Sequence, residues 1–192
     1  FSFAVTAGSY ASIANNTFTL AVSCTGTLTA STMALLFNDF HRGVTFSGAT
    51  STNGLLDVIG NSIAHNAGTA FSVTGAVNSN SVHRFIGNTF TITSTLSGLN
   101  CLSYDTSAAR IQTGSRLILL DNVMRRTQFG SMGVLTATFN GGTATIDGTN
   151  DLGLAGVSEK DIDRHSFWAT SIAAADDHGT AQAGRWRWPP RE

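Results

Sequence analysis

Five aspartates lie in the first 150 residues: Asp39, Asp57, Asp105, Asp121 and Asp147. Carboxylates in pairs are the usual equipment of glycoside hydrolysis, one as acid and one as base or nucleophile, held at a defined separation. The five sit at different offsets from the asparagines that punctuate the chain. Asp39 follows one, Asp121 precedes one, and Asp57 stands four residues before one. Unequal offsets do not build a single line of carboxylates. A turn-bonding or solvated role is the simpler expectation for each, so no catalytic residue is assigned.

His41, His65 and His83 are the imidazoles of the same region. A metal site needs them to converge, and two imidazoles alone hold a metal weakly. Turn or surface positions are the expectation, with no metal and no cofactor. Asp176-Asp177-His178 resembles part of a catalytic triad, but no Gly-x-Ser-x-Gly elbow accompanies it. The chain has no Gly-rich loop with lysine for phosphate, no dinucleotide fingerprint and no Cys-x-x-Cys pair. Cys24 and Cys101 either pair as one disulfide or remain two buried thiols. Asn15-Asn16-Thr17 matches the N-glycosylation pattern at Asn15.

The elements that must position these residues are repeated. Asn16, Asn38, Asn61, Asn88 and Asn122 each sit in the same short box. Three residues before each stands Ile13, Leu35, Val58, Phe85 or Leu119. Two before stands Ala14, Leu36, Ile59, Ile86 or Leu120. Two after stands Phe18, Phe40, Ile63, Phe90 or Met124. Successive box asparagines are 22, 23, 27 and 34 residues apart. Repetition at this period marks a solenoid.

One coil of a right-handed parallel β-helix takes roughly 20–25 residues, in short strands separated by turns. Each strand then pairs with its equivalent in the coils above and below, about 4.8 Å away. Asparagine suits the turn, because it tolerates the left-handed conformation and its amide bonds nearby backbone. Stacked coils would align the five asparagines as a structural turn ladder. The flanking apolar residues would stack inside. The competing arrangement is a β-sandwich with ordinary Asn turns. Parallel pairing between successive boxes would exclude it.

Composition agrees with turned β structure. The 192 residues include 20 glycines, and only 12% are charged. A formal net charge of −1 gathers no polyanion, so no nucleic-acid partner is expected. No apolar run is long enough to cross a membrane as a helix, and no signal peptide is visible.

Taken in order, Phe18 to Val22 alternates as a strand with one buried face. Thr25 to Thr32 is small and polar and is expected to loop out. Ser94 to Arg110 is the longest interruption and is expected to project. Residues 1–150 make about six or seven coils and a stack of about 30 Å, whose open ends need a cap or neighbour. After Asn150 the pattern stops, and residues 151–192 carry 12 of the 23 charged residues. Ser158 to Arg164 and Ile172 to Ala175 suggest helix. Trp186 and Trp188 lie among three arginines in what reads as a loose tail.

The Asn boxes, the Ser/Thr/Gly filling and Arg116-Leu117-Ile118-Leu119-Leu120-Asp121-Asn122 resemble the repeats of the trypanosomatid dispersed gene family proteins over residues 1–150. More loosely, they resemble pectate-lyase-like β-helices, although no matching catalytic motif is present. The first resemblance implies a very large surface or membrane-associated parent with an adhesive role, and no catalytic residues to carry over.

The expectation is therefore an all-β, right-handed parallel β-helix (solenoid) over residues 1–150, with an irregular or partly helical tail at 151–192. Its expected function is that of a non-catalytic adhesion-type fragment of a cell-surface or extracellular glycoprotein. Its expected partners are a glycan or an extracellular protein. The alternative is a polysaccharide lyase or glycoside hydrolase of β-helix fold.

Overall fold

The computed structural model describes residues 5, 7–94, 99–104, 111–126, 132–146, 166–171 and 174–175. All named elements among them are strands. The first repeat runs through β1 (Tyr10–Ala14), β2 (Thr17–Phe18), β3 (Val22–Cys24) and β4 (Leu28–Thr29). The second holds β5 (Thr32–Leu36), β6 (Asp39–Phe40), β7 (Val44–Phe46) and β8 (Thr50–Ser51). The third holds β9 (Leu55–Ile59), β10 (Ser62–His65) and β11 (Phe71–Val73). The fourth holds β12 (Val82–Ile86), β13 (Thr89–Ile92), β14 (Leu99–Tyr104) and β15 (Ile111–Gln112). The fifth holds β16 (Arg116–Leu120), β17 (Val123–Arg126) and β18 (Met132–Asn140). Then come β19 (Thr143–Ile146), β20 (Ser166–Ser171) and β21 (Ala174–Ala175).

Every strand pairs with its counterpart one repeat away, and all of these pairs are parallel. One sheet runs β1-β5-β9-β12-β16-β19-β21 and a second runs β2-β6-β10-β13-β17. A third runs β3-β7-β11-β14-β18-β15. β4 pairs with β8 at a fourth position, which isolated bridges at Val77 continue. The fold is all-β with parallel sheets, and that pairing excludes the antiparallel sandwich. Register follows the boxes: Ile13 faces Leu35, Leu35 faces Val58, Val58 faces Phe85 and Phe85 faces Leu119.

The pleat sorts each box between inside and outside. Residues three before the Asn, such as Leu35, Val58 and Phe85, are fully buried, as are Phe40, Ile63, Phe90 and Met124 two after it. Phe18 and Phe40 stack with ring centroids 5.0 Å apart, and Phe71 meets Phe85 edge-on at 5.0 Å. Burying a side chain of this size contributes about 1.5–3 kcal/mol. The residues two before the Asn do not stack inside, as the box suggests they would. Leu36, Ile59, Ile86 and Leu120 are only half-buried, because a period of two turns them to the outer face.

The left-handed residue is also not the asparagine. It is the spacer before it: Asn15 (φ 57°), Phe37 (54°), Gly60 (66°), Gly87 (64°) and Asp121 (52°). The spacer makes the bend, which leaves the asparagine amide aimed along the stack. A second column has a different cause. A Cβ on Gly48 would overlap the carbonyl of Gly26, and one on Gly75 that of Gly48, so the chain passes this corner only without side chains.

Other expectations change. Phe18 to Val22 is not one strand. The chain turns between sheets there and leaves Leu20 76% exposed. Thr25 to Thr32 does not loop out, since Leu28 in β4 is fully buried. Within the 94–110 interruption, β14 enters the core, and Cys101, Leu102, Ser103 and Tyr104 are all buried. In the tail, β20 pairs with β18, and β21 pairs with β19 where helix is suggested for Ile172 to Ala175. An extended segment can continue the parallel ladders of β18 and β19 where a helix could not. The suggested helix at 158–164 and the Trp186 and Trp188 segment lie outside the described residues.

Candidate functional site

The asparagines form a continuous hydrogen-bonded line. The Oδ1 of Asn61 accepts the backbone N–H of Asn38 at 2.8 Å and its Nδ2 at 3.0 Å. Asn88 accepts in the same way from Asn61 (3.0 and 3.1 Å), and Asn122 from Asn88 (3.1 and 3.0 Å). Asn38 accepts from Asn16 (3.1 and 3.4 Å). Each amide also donates backwards, from Asn38 to Ile13 O, Asn61 to Leu35 O, Asn88 to Val58 O and Asn122 to Phe85 O, at 2.7–2.8 Å. Asn38, Asn61, Asn88 and Asn122 are at most 2% exposed. Their donors and acceptors are used up in the stack, so the ladder has structural chemistry only. Asn15, the candidate glycosylation residue, is exposed.

The described aspartates sit apart. Asp57 lies on β9 and is 7% exposed. Both its oxygens are taken by Arg84 of β12, from Nε and an Nη at 2.6 Å each. It is neither turn-bonding nor solvated, because the register puts a guanidinium directly beside it. The hydrogen bond to Asp57 raises the Arg84 pKa. Asp39 lies on a different sheet, exposed, with its Oδ2 2.8 Å from Nε2 of His41. Asp121 is an exposed spacer in the left-handed bend. Asp105, Asp147 and Asp176-Asp177-His178 lie outside the described residues.

The imidazoles also diverge. His41 is exposed on the second sheet's side. The His65 Nδ1 accepts the N–H of Ala67 at 2.9 Å. Its pKa is lowered, first by burial and then by the nearby Arg42. His83 is neither a turn nor a surface residue. It stands in the inward column of Met33, Leu56 and Leu117 and is fully buried. Its Nδ1 is 2.8 Å from the Tyr104 hydroxyl and its Nε2 2.8 Å from Thr50 Oγ1. Burial lowers its pKa to about 3, so the ring is neutral and takes one donor and one acceptor role. Cys24 and Cys101 are buried free thiols, and burial raises the pKa of both. Among the described residues, no three or more His, Cys, Asp or Glu side chains gather as metal ligands.

Aliphatic side chains gather on one outer face. Leu36, Ile59, Ile86 and Leu120 form one column on the outer face of the first sheet. Phe37, 62% exposed, lies over Gly60 beside it. Leu55 and Val82 flank the Asp57–Arg84 pair on the same face. Sequence reasoning missed Arg84, Tyr104, Thr50 and this face. The signal was present for Arg84: Asp57 and Arg84 stand at the same offset, four before a box Asn.

Comparisons with protein-family models, curated proteins and solved structures each return no match. Among the described residues, no helix is long and apolar enough to cross a membrane.

Proposed function

We propose that this chain is a right-handed parallel β-helix that serves as a rigid, non-catalytic contact surface in a cell-surface or extracellular protein. Glycans or extracellular proteins are its ligands. Parallel pairing of each repeat with the next supports the solenoid. The general handedness of parallel crossovers supports the right-handed sense. The resemblance to the trypanosomatid dispersed gene family repeats supports the adhesive role and the surface location.

The observation that carries the contact-surface reading is the outward column of Leu36, Ile59, Ile86 and Leu120, with Phe37 beside it. Large aliphatic side chains recur there on a flat sheet face, although the turn geometry asks nothing of them. A contiguous apolar column that is only half covered on an outer sheet face is the kind of surface that interaction sites use. The described aspartates support no hydrolase, since Asp57 is neutralised by Arg84 and Asp39 lies on another sheet.

Two measurements test the reading. Purified chain is applied to immobilised glycans and extracellular matrix proteins beside an Ile59→Lys/Ile86→Lys variant, with Thr29→Lys as the off-face control. Binding should fall in the first variant and persist in the second. Equal binding by all three sinks the contact face. Antibody to the chain should stain intact cells that express the full-length gene. Staining that requires permeabilisation sinks the surface location.

A further inference from the structure

The outer face of the first sheet is a grid. β5, β9, β12 and β16 turn alternate residues outward, and their register aligns these in columns. The middle column holds Ala34, Asp57, Arg84 and Ile118. Leu36, Ile59, Ile86 and Leu120 run along one side of it, and Leu55 and Val82 stand on the other. The Asp57–Arg84 pair therefore sits at the centre of these strands. Two of the Arg84 guanidinium N–H groups go to Asp57. The others have no acceptor among the described residues, and the Arg84 side chain is 38% exposed.

We infer that the protein partner of this face is the same face of a second copy of this chain. This rests on the contact face proposed above and names its occupant. A two-fold axis in the interface, parallel to the strands and between β9 and β12, reverses the stack and keeps each column in place. Asp57 then meets the Arg84 of the copy, and Arg84 meets its Asp57. Ile59 meets Ile86, Leu36 meets Leu120, and Leu55 meets Val82. Ala34 meets Ile118, small against large. Each of these apolar positions receives an apolar one, and each charge of the pair receives its opposite. An isologous dimer requires residues that answer one another in both directions. Sheets packed face to face lie about 10 Å apart, so the spare Arg84 donors can reach the carboxylate of the copy. Three positions on each of four strands give about twelve residues a side, roughly half of the 20–30 in a standard interface. Such a dimer is weak in solution, with a Kd of about 10–100 μM. It gains strength where many copies meet across two surfaces.

Analytical ultracentrifugation of the full chain up to about 1 mM tests this. Wild type should dimerise reversibly, and Thr29→Lys should match it. Ile59→Lys/Ile86→Lys should dimerise at least about tenfold more weakly. Asp57→Arg and Arg84→Asp each set like charges against each other across the two-fold, so each alone should stay monomeric. Their mixture restores opposite charges at both crossings and should form a one-to-one dimer. If either charge variant fails to fold, Ile59→Lys mixed with Ile86→Glu makes the same test, because positions 59 and 86 meet. A wild type that stays monomeric overturns the proposal. If that monomer still binds glycan or matrix protein through Ile59 and Ile86, the contact face stands and only the second copy is overturned. Dimers that survive Ile59→Lys/Ile86→Lys, or mixtures that associate no better than their components, also overturn it.

Discussion

Asp57 and Arg84 face each other across β9 and β12, joined by two N–H···O bonds of 2.6 Å beside the aliphatic column of the outer face. The carboxylate side chain is 10% exposed and the guanidinium 38%. Removing the arginine strands a nearly buried charge, whereas replacing both residues leaves no unpaired group. Because Arg84 is partly solvated, the cost is discounted for screening. Arg84→Ala should destabilise by about 1–2 kcal/mol. Asp57→Val/Arg84→Ile should come within about 1 kcal/mol of wild type. Urea denaturation of the two variants checks this, and a double variant worse than the single one would refute it.

The ladder predicts a gradient along one column of identical residues. Asn61→Leu removes the acceptor of two Asn38 donors and the donor to Leu35 O, all in a buried site. Each unsatisfied group costs about 1–3 kcal/mol, so the loss should be about 3–5 kcal/mol. Asn16→Leu should cost under about 1 kcal/mol, since it loses only an exposed bond to Ala14 O and a long one of 3.4 Å to Asn38 Oδ1, whose other partner, the Asn16 backbone N–H, stays. Equal losses at both positions would mean the ladder is not what holds the stack.

The ladder explains how much of this molecule could be read from the sequence. A stacked amide satisfies itself only if the same residue stands at the same register in each repeat. Five asparagines with apolar neighbours at fixed offsets therefore reported the parallel pairing. What each column faces was harder to read. His83 reads as a turn or surface residue, but its offset matches Leu56 and Leu117 on the inward face. Its partners, Thr50 and Tyr104, lie 33 and 21 residues away on two other segments. Spacing within a repeat carries no sign of such distant partners. The 94–110 stretch misled for a related reason. Its extra residues hid β14, whose Cys101 and Tyr104 are core residues.

Phe37 occupies a bend that glycine fills in the next two repeats, at φ 54° beside Gly60 at 66° and Gly87 at 64°. A bulky residue in this region costs about 1–2 kcal/mol of backbone energy. The ring is 62% exposed and recovers part of that by covering Gly60. Phe37→Asn should therefore raise stability by about 0.5–1 kcal/mol, read as a higher melting temperature. A lower one would mean that the cover over Gly60 outweighs the strained backbone.

The two thiols should be silent in the folded chain. Burial raises Cys24 from 9.0 to about 11 and raises Cys101 as well. Thiolate at Cys24 is thereby about a hundredfold scarcer than in an open thiol. Iodoacetamide at pH 8 should label neither residue in buffer and both in denaturing urea, as mass spectrometry would show. Prompt labelling of the native chain would show that the sheet carrying them opens.

Burial of His83 makes the fold less stable in acid. Its pKa falls from 6.5 in the open chain to about 3 because burial disfavours the imidazolium. Between these values the unfolded chain binds a proton that the folded chain refuses. Stability is therefore full above about pH 6.5 and is lost as the pH falls towards 3, by up to about 1.4 kcal/mol per pH unit. His83→Gln keeps a donor and an acceptor for Tyr104 and Thr50 but does not titrate. The advantage of wild type over His83→Gln should be constant above pH 7 and shrink with that slope below about pH 6. Urea denaturation of both proteins between pH 8 and pH 4 measures it. Parallel curves over the whole range would show that His83 is protonated in the folded chain or already desolvated in the unfolded one.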